Sequence, residues 1–232
     1  RAINKSLFAI STDDLRPAMN GVYLEMEDDG LLFVATDAHK LVKYKRTDVG
    51  TKSTNSVILP KKPLNILKTI LSDTQDEITA GYNEKHFYID NNVISMSFRL
   101  IDARFPDYRV VIPKDNPYKL IVDRQSFQGA LRRVSIYSNK STNQVVLTIS
   151  GSELQLHSQD IDFSHESSER MPCQYDGEDM QIAFNAKSLI DMLAVTETEE
   201  VILELSSPTK AGILKPFENE QDEDLLMLLM PL

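Results

Sequence analysis

The sequence has one cysteine, few glycines and no long apolar run, and each of these scarcities excludes a class of protein. A lone Cys173 cannot form an intrachain disulfide, so the usual staple of small secreted domains is absent. No apolar run approaches the roughly 20 residues that a membrane-spanning helix needs, and no signal peptide opens the sequence. The eight glycines form neither a phosphate-binding loop nor a dinucleotide fingerprint. We therefore expect a cytoplasmic protein that needs no cofactor and does not bind a membrane.

Patterns of catalysis and metal binding are equally scarce. The four histidines are His39, His86, His157 and His165. None of them has the spacing of metal ligands. Cys173 precedes a Gln-Tyr-Asp loop and has no base near it in the sequence, so it is not expected to be a catalytic thiol. We expect neither an enzyme nor a metal site.

What the sequence does contain is a repeat of about half its length. A turn with an acidic residue leads into a strand that ends in aspartate at 29–37, and the pattern returns at 152–160. A helix with a basic first residue follows in both halves, at 62–67 and 187–192. Because one period holds through two kinds of element, we predict two copies of one domain, at 1–114 and 115–232.

Hydrophobic periodicity predicts the same set of elements in each copy. Helices are predicted at about 1–12, 61–73, 123–140 and 185–194, and the second of them is expected to bury Leu64, Ile66, Leu67, Ile70 and Leu71. Strands are predicted at 21–26, 31–36, 41–45, 57–59, 77–82, 85–90, 93–99, 144–150, 153–158, 163–171, 181–184, 200–206, 212–216 and 224–230. The pattern predicts α+β domains, each with two helices on one face of antiparallel sheets.

The net charge of −10 is distributed unevenly along the chain. The four predicted helices hold ten basic residues, three acidic residues and no glutamate. Lysine and arginine are ordinary on solvated helix faces, but glutamate is as good a helix former. Its absence favours a polyanion facing these helices, in spite of the acidic total.

Three segments combine apolar side chains with prolines or polar anchors: Ala-Thr-Asp-Ala-His-Lys-Leu-Val at 35–42, Arg-Phe-Pro-Asp-Tyr-Arg at 104–109 and Leu-Leu-Met-Pro-Leu at 228–232. Together they resemble the bacterial sliding clamp family, the beta subunit of DNA polymerase III. Hallmarks of that family are Thr-Asp-Gly-His-Arg-Leu, Phe-Pro-Asp-Tyr and a Met-Pro near the C-terminus. A family subunit has three copies of one DNA-clamp domain, and two subunits close into a ring around duplex DNA. This chain would supply the middle and C-terminal copies, without the first strand of the middle one.

The resemblance implies a groove between the two domains that receives a short peptide from polymerases and other partners. Ala38 and Lys40 stand where the family usually has glycine and arginine. Lysine cannot make a planar bidentate contact, which bears on the peptide motif that the groove prefers. The implied groove residues are Met19, Thr36, His39, Lys40, Leu41, Pro106, Val110, Val111, Leu228, Met230, Pro231 and Leu232.

The resemblance also implies that basic side chains face double-stranded DNA without reading its sequence. The implied DNA-facing residues are Arg1, Lys5, Arg16, Lys61, Lys62, Lys68, Arg124, Arg132, Arg133, Lys140 and Lys187. The ring contact would use Ile136 and Tyr137 with a following strand. Its partner surface belongs to the first domain of the family, so we expect this chain alone not to close a ring.

These implications describe a non-catalytic processivity factor that encircles duplex DNA as a homodimer when it is full length. Its expected partners are the catalytic subunit of DNA polymerase III, the clamp loader and other proteins with a clamp-binding motif. Two alternatives stay open. One is a duplicated α+β interaction scaffold that does not bind DNA. The other is an enzyme that uses the groove, for which His39 is the candidate catalytic residue.

Overall fold

The protein divides into two compact units. The computed structural model describes residues 1–51, 54–71, 77–91 and 93–232. Unit 1 comprises Arg1–Asp107 with Gln221–Asp224, and unit 2 comprises Tyr108–Glu220 with Leu225–Leu232. The division of the sequence into domains after residue 114 stays a prediction. No described helix is long and apolar enough to cross a bilayer.

Unit 1 contains two α-helices and seven strands among its described residues. In chain order these are α1 (Ala2–Ser6), β1 (Gly21–Glu27), β2 (Gly30–Thr36), β3 (Lys40–Arg46), β4 (Asn55–Pro60), α2 (Lys61–Ile70), β5 (Thr79–Tyr82), β6 (His86–Asp90) and β7 (Ser95–Arg99). One antiparallel sheet has the order β3-β2-β1-β4, and a second has the order β5-β6-β7. Helix α1 packs on α2 and against β2 and β3.

Unit 2, every residue of which is described, repeats this plan with a longer first helix. Its elements are β8 (Tyr118–Asp123), α3 (Arg124–Val134), β9 (Gln144–Ser150), β10 (Glu153–Asp160), β11 (His165–Pro172), β12 (Gln174–Tyr175), β13 (Met180–Asn185), α4 (Ala186–Val195), β14 (Glu200–Leu205), β15 (Gly212–Pro216) and β16 (Glu223–Leu229). Antiparallel pairing gives the orders β12-β8-β14-β15-β16 and β11-β10-β9-β13. The first two residues of β16 group with unit 1.

The helices of unit 2 pack on each other and on the strands. Helix α3 contacts α4, β8, β10 and β11, and α4 contacts β13. Phe127, Leu131 and Val134 of α3 are completely buried, as their spacing predicted. The prediction of tandem α+β copies with paired helices on antiparallel sheets is confirmed.

The first helix is much shorter than predicted. It ends at Ser6, a 3-10 turn covers Leu7–Ala9, and Ile10 is extended. The hydroxyl of Ser11 accepts a hydrogen bond from the backbone N–H of Asp13 at 3.0 Å, and the Asp13 carboxylate accepts one from Leu15 N–H at 2.9 Å. Such local side-chain bonds compete with helical backbone bonds, so the expected helix over 1–12 was wrong beyond Ala9.

Helix α2 buries one narrow stripe instead of the five predicted residues. Leu64 and Leu67 are buried, but Ile66 is 43% exposed. Ile66 lies about 200° around the helix from Leu64, so both cannot face the sheet. Ile70 is also exposed, so its predicted burial was wrong as well. The predicted end of this helix at residue 73 lies outside the described residues.

The sequence pattern missed two strands of unit 2. Strand β8 directly precedes α3 and pairs with β14, and the two-residue strand β12 pairs with β8. The predicted third helix, at about 123–140, is α3 followed by a 3-10 turn over Ser135–Tyr137. Asp123 caps α3 by accepting a hydrogen bond from Ser126 N–H at 2.7 Å, so it ends the strand and starts the helix.

Candidate functional site

The turn between β2 and β3 is held by two side chains, Thr36 and Asp37. The Thr36 hydroxyl donates to Lys40 O at 2.8 Å and accepts from Ala38 N–H at 3.1 Å. One Asp37 oxygen accepts from the backbone N–H groups of His39 and Lys40 at 2.9 and 2.8 Å. Ala38 has a positive φ of 77°, a left-handed conformation that glycine adopts without strain. Four hydrogen bonds thus hold the turn, and its backbone is strained at Ala38.

The second Asp37 oxygen binds the Lys40 ammonium at 2.7 Å. Burial of the Asp37 carboxyl raises its pKa. The hydrogen bonds from the Lys40 side chain and from the two backbone N–H groups outweigh burial, so the pKa of Asp37 lies below its usual value. The charge of Lys40 is thus already paired inside the turn, which leaves Lys40 a weaker attractor of anions than an unpaired lysine would be.

This turn lines a polar cavity of about 480 Å³ in unit 1. Beyond the turn, Arg16 contributes a guanidinium whose Nε lies 3.5 Å from the Asp13 carboxylate. The structure therefore brings together Arg16, His39 and Lys40, which the sequence assigned to two different functions. Asp13 and Asp37 face them as matching anions that the sequence analysis did not assign. The complete lining is Ile10, Ser11, Thr12, Asp13, Arg16, Asp37, His39 and Lys40.

The other predicted groove residues of unit 1 differ in their exposure. Leu41 and Thr36 are buried, so they support the turn from below and do not present a surface. Met19 and Pro106 are half-buried. Of the predicted residues in unit 1, Met19, Pro106 and the cavity residues thus have side chains that a ligand can reach.

The predicted groove residues of unit 2 lie in or next to the 3-10 turn over Tyr108–Val110 and at the C-terminus. Val110 and Val111 are exposed, the former by 76%. Leu228 is 2% exposed and belongs to the core of β16, so it is not a surface residue. Met230 and Leu232 are exposed, Pro231 is half-buried, and Leu232 N–H donates to Ala183 O of β13 at 2.9 Å. This bond holds the C-terminal residues along the edge of β13.

The four α-helices of the described chain carry eight basic residues and one acidic residue. The selective loss of acids from the helices therefore persists with the observed helix bounds. Six of the predicted DNA-facing residues form no ion pair with a described carboxylate. They are the exposed Lys62, Lys68, Arg132, Lys140 and Lys187, and the half-buried Lys61.

Lys5 is not a DNA-facing residue, which corrects the sequence prediction. Its ammonium is buried 3.9 Å from a Glu223 carboxylate oxygen and 5.9 Å from the ring centre of Tyr44. Arg1 reaches the same carboxylate at 2.8 Å but stays partly exposed. Because α1 lies against β3, the side chain of Lys5 points into the core of unit 1.

Arg124 and Arg133 are engaged within unit 2. Arg133 Nε donates to the Glu169 carboxylate at 3.0 Å, and this guanidinium holds the pKa of Glu169 below its usual value. Arg124 Nε donates to Thr198 O at 2.8 Å. Because both guanidinium groups already bind oxygen atoms of unit 2, each has fewer N–H donors left for a phosphate.

The predicted ring contact is part of a larger apolar patch. Ile136 and Tyr137 are exposed, as the prediction requires. The turn between β10 and β11 adds Ile161, which is 80% exposed, and Phe163, which is 68% exposed. His165 stands between Tyr137 and Phe163, with ring centres 6.3 and 6.2 Å away. The sequence analysis missed the second turn, although two large apolar residues in the polar run 158–166 were a usable signal.

Similarity to known proteins extends along nearly the whole chain. Residues 1–107 match the family model of the DNA polymerase III beta subunit, central domain, and residues 109–231 match that of its C-terminal domain. The chain belongs to the DNA polymerase III beta subunit family. The recognition made from the three motifs is thereby confirmed.

Individual members of the beta subunit family agree with this assignment. The beta sliding clamp of Pseudomonas putida is 28% identical over 228 residues, with 98% of this chain and 62% of the relative covered. That of Bacillus subtilis is 29% identical over 234 residues, covering 99% and 61%. A crystal structure of the DNA polymerase sliding clamp from Pseudomonas aeruginosa superimposes with a TM-score of 0.94 at 27% identity, covering 100% of this chain and 62% of that one. The chain thus spans less than two thirds of these relatives.

Proposed function

We propose that the full-length protein is a sliding clamp, a non-catalytic processivity factor that holds duplex DNA by backbone electrostatics. The observation that carries this proposal is the exposure of Lys62, Lys68, Arg132 and Lys187 on helices almost free of acids, in a chain of net charge −10. Lysine and arginine side chains that contact only phosphates bind DNA regardless of its base sequence. Acidic residues on the rest of the surface discourage DNA from binding there. Membership of the beta subunit family supports the same function in the cytoplasm.

Retention of the full-length protein on circular and linear duplexes tests this function. A clamp stays on a circle and slides off a linear end, whereas equal behaviour on both, with no retention on either, would favour the interaction scaffold without DNA binding. A variant carrying Lys62→Gln and Lys68→Gln should weaken retention on the circle. Lys5→Met is the matched control, because it also removes a cation from a unit 1 helix, but one that is buried.

We further propose that the exposed groove residues bind a short peptide of the polymerase catalytic subunit, the clamp loader and other partners. A peptide that buries about 300 Å² of apolar surface gains roughly 7 kcal/mol before ordering costs, which corresponds to micromolar affinity or weaker. The paired charges of the unit 1 cavity, Asp37 with Lys40 and Asp13 with Arg16, fit a role in orientation more than in catalysis. We therefore favour peptide binding over an enzyme that uses His39.

Titration of a labelled polymerase-derived clamp-binding peptide tests the groove. The double variant Met230→Ala, Pro231→Ala should lose most of the affinity, because it truncates side chains that a ligand can reach. Met96→Ala is the control, because it truncates a half-buried methionine in strand β7 of unit 1, outside the predicted groove. Unchanged affinity in the double variant would defeat the assignment.

The third proposal concerns the ring contact of the homodimer. Ile136, Tyr137, Ile161 and Phe163 form an apolar surface beside β11, an edge strand of the β11-β10-β9-β13 sheet of unit 2. An edge strand next to exposed apolar side chains is suited to pairing with another subunit. In the full-length protein, Ile136→Ser with Phe163→Ser should shift sedimentation from dimer to monomer. Leu15→Ser, at a residue of unit 1 that is 91% exposed, should leave the dimer intact.

A further inference from the structure

The start of α3 is fastened to the end of α4. Arg124 Nε donates to Thr198 O at 2.8 Å, and Arg124 Nη1 reaches Leu193 O at 3.5 Å. The backbone N–H of Arg124 donates to Glu199 O at 2.8 Å. The last carbonyls of a helix have no partners within it, so a side chain that binds them fixes where the helix ends. Arg124 thus binds the final turn of α4 and, from the same position, Thr198 and Glu199 in the segment that follows this helix.

A second connection lies one turn further along α3. Gln128 Nε2 donates to Ile190 O at 3.0 Å. A step of four residues along α3, from Arg124 to Gln128, therefore corresponds to a step of three back along α4, from Leu193 to Ile190. The two helices run antiparallel. With a rise of about 1.5 Å per residue, the next such step places Arg132 level with Lys187.

Arg132 and Lys187 are the exposed cations of this helix pair that have no described carboxylate partner. Both side chains are exposed, and no described carboxylate forms an ion pair with either. Arg133, the neighbour of Arg132, is already bound to Glu169 on β11. The charge that unit 2 can offer a phosphate backbone from α3 and α4 is therefore concentrated at one place, and its position depends on the register of the two helices.

We propose that Arg124 is a positioning residue, which holds α3 and α4 in the register that sets Arg132 beside Lys187. This inference rests on the proposed DNA-binding function and assigns its residues different roles. Arg132 and Lys187 contact phosphates. Arg124 acts through the backbone carbonyls that it binds, although the sequence predicted that it faces DNA.

Salt-dependent DNA binding by the full-length protein separates the two roles. Arg132→Gln and Lys187→Gln should each lower the slope of log affinity against log salt by about 1 per subunit of the ring, because each subunit loses one phosphate contact. Arg124→Gln should leave that slope unchanged. A slope that falls by about 1 per subunit in Arg124→Gln but not in Arg124→Lys would show a phosphate contact at Arg124 and overturn the proposal.

A distance measurement separates positioning from a merely structural role. Spin labels attached through Arg132→Cys and Lys187→Cys in this chain report the register directly. Cys173 does not compete for the label, because it is buried and burial raises the pKa of its thiol. We expect a narrow distance distribution in the labelled parent and a broadened one after Arg124→Gln. Arg124→Lys should recover part of the width, because lysine retains one donor for Thr198 O.

The remaining outcomes are equally decisive. A lowered melting temperature in Arg124→Gln with an unchanged distance distribution would mean that Arg124 only stabilises the fold, which overturns the proposal. If Arg132→Gln and Lys187→Gln leave the salt slope unchanged, the DNA-binding function itself fails. The labels would then still report whether Arg124 sets the register.

Discussion

The turns that follow β2 and β10 occupy equivalent positions in the two copies, yet they present opposite surfaces. Asp37 and Asp160 are related by the repeat offset of 123 residues. Asp37 binds Lys40, whereas the buried Asp160 accepts a hydrogen bond from the backbone N–H of Asp162 at 3.1 Å. Phe163, the equivalent of Lys40, is exposed. The aspartate organises a turn in both copies, while the residues beyond it supply a polar cavity in one and an apolar patch in the other.

The helix pairs differ in a related way. In unit 2, Arg124 and Gln128 join α3 to carbonyls of α4 and its flanking residues. In unit 1, α1 has five residues, and its Lys5 is directed towards Glu223 in the core. Unit 2 therefore presents cations from two fastened helices, and unit 1 presents them chiefly from α2. A duplicated fold preserves the order of its elements more strictly than the use of its side chains.

The largest expected effect contrasts the buried face of α3 with the exposed face of α2. Phe127→Ala should lower the free energy of unfolding of unit 2 by about 4 kcal/mol, because the ring is completely buried. Ile66→Ala in unit 1 should change it by less than about 0.5 kcal/mol. Urea unfolding with hydrogen exchange resolved for each unit measures both. Comparable losses would remove the distinction between these two helices.

The next effect tests the buried charges of unit 1, for which the described ion pairs of unit 2 offer no equally buried counterpart. Glu223 is nearly buried and receives Arg1 at 2.8 Å, Arg46 at 3.4 Å and Lys5 at 3.9 Å. Glu223→Gln should cost about 3 kcal/mol, because it leaves positive charge without its carboxylate in a poorly solvated place. Chemical denaturation at neutral pH measures the loss. Glu169→Gln, which breaks a largely exposed pair in unit 2, should cost under about 1 kcal/mol.

The ion pair between Asp37 and Lys40, in the turn between β2 and β3, gives a smaller effect with a defined pH dependence. Because the pKa of Asp37 is lowered in the folded state, its contribution is present above the unfolded value of about 4 and is lost as pH falls through the folded value. Asp37→Asn should therefore cost about 1 kcal/mol at pH 7 and progressively less below about pH 4. Denaturation of both proteins from pH 7 to 3 measures this difference. A difference that grows on acidification would contradict the assignment.

The smallest pair of effects should have opposite signs in the two copies. Ala38 in unit 1 has a φ of 77°, so Ala38→Gly should raise stability by about 0.5–1 kcal/mol. Gly151 in unit 2 has a φ of 57° and open space where a Cβ would lie, so Gly151→Ala should lower stability by a similar amount through the backbone alone. Melting temperatures of the two variants give the signs. If both variants shifted the melting temperature in the same direction, the backbone angle would not decide stability at these two turns.

The elements that the sequence predicted best are those with a strong local pattern. Strand β9 has the predicted bounds because buried and exposed residues alternate along it, which specifies the face and register of a strand. Strand β15 also has the predicted bounds, set between Ala211 and the exposed Phe217. The helix pairs followed from apolar spacing in the same way, and three short motifs sufficed for the family.

The errors lie where a long-range or local competitor acts. Strand β12 has only two residues, and its pairing with β8 carries no local pattern. Helix α1 ends early because the side chains of Ser11 and Asp13 bind nearby backbone. The cavity of unit 1 was only partly predicted, since Arg16 and His39 meet through folding.

The sequence by itself determined the duplicated order of helices and strands and the shortage of acids on the helices, because both are properties of neighbouring residues. Only the tertiary structure decided which cations are available. Lys5, Arg124 and Arg133 look equivalent to Lys62 and Arg132 in the sequence, and folding occupies them with partners distant along the chain. Those partners are Glu223, Thr198 and Glu169. A charge is free for a ligand only when no internal oxygen lies within its reach, and that depends on distances which the chain order does not contain.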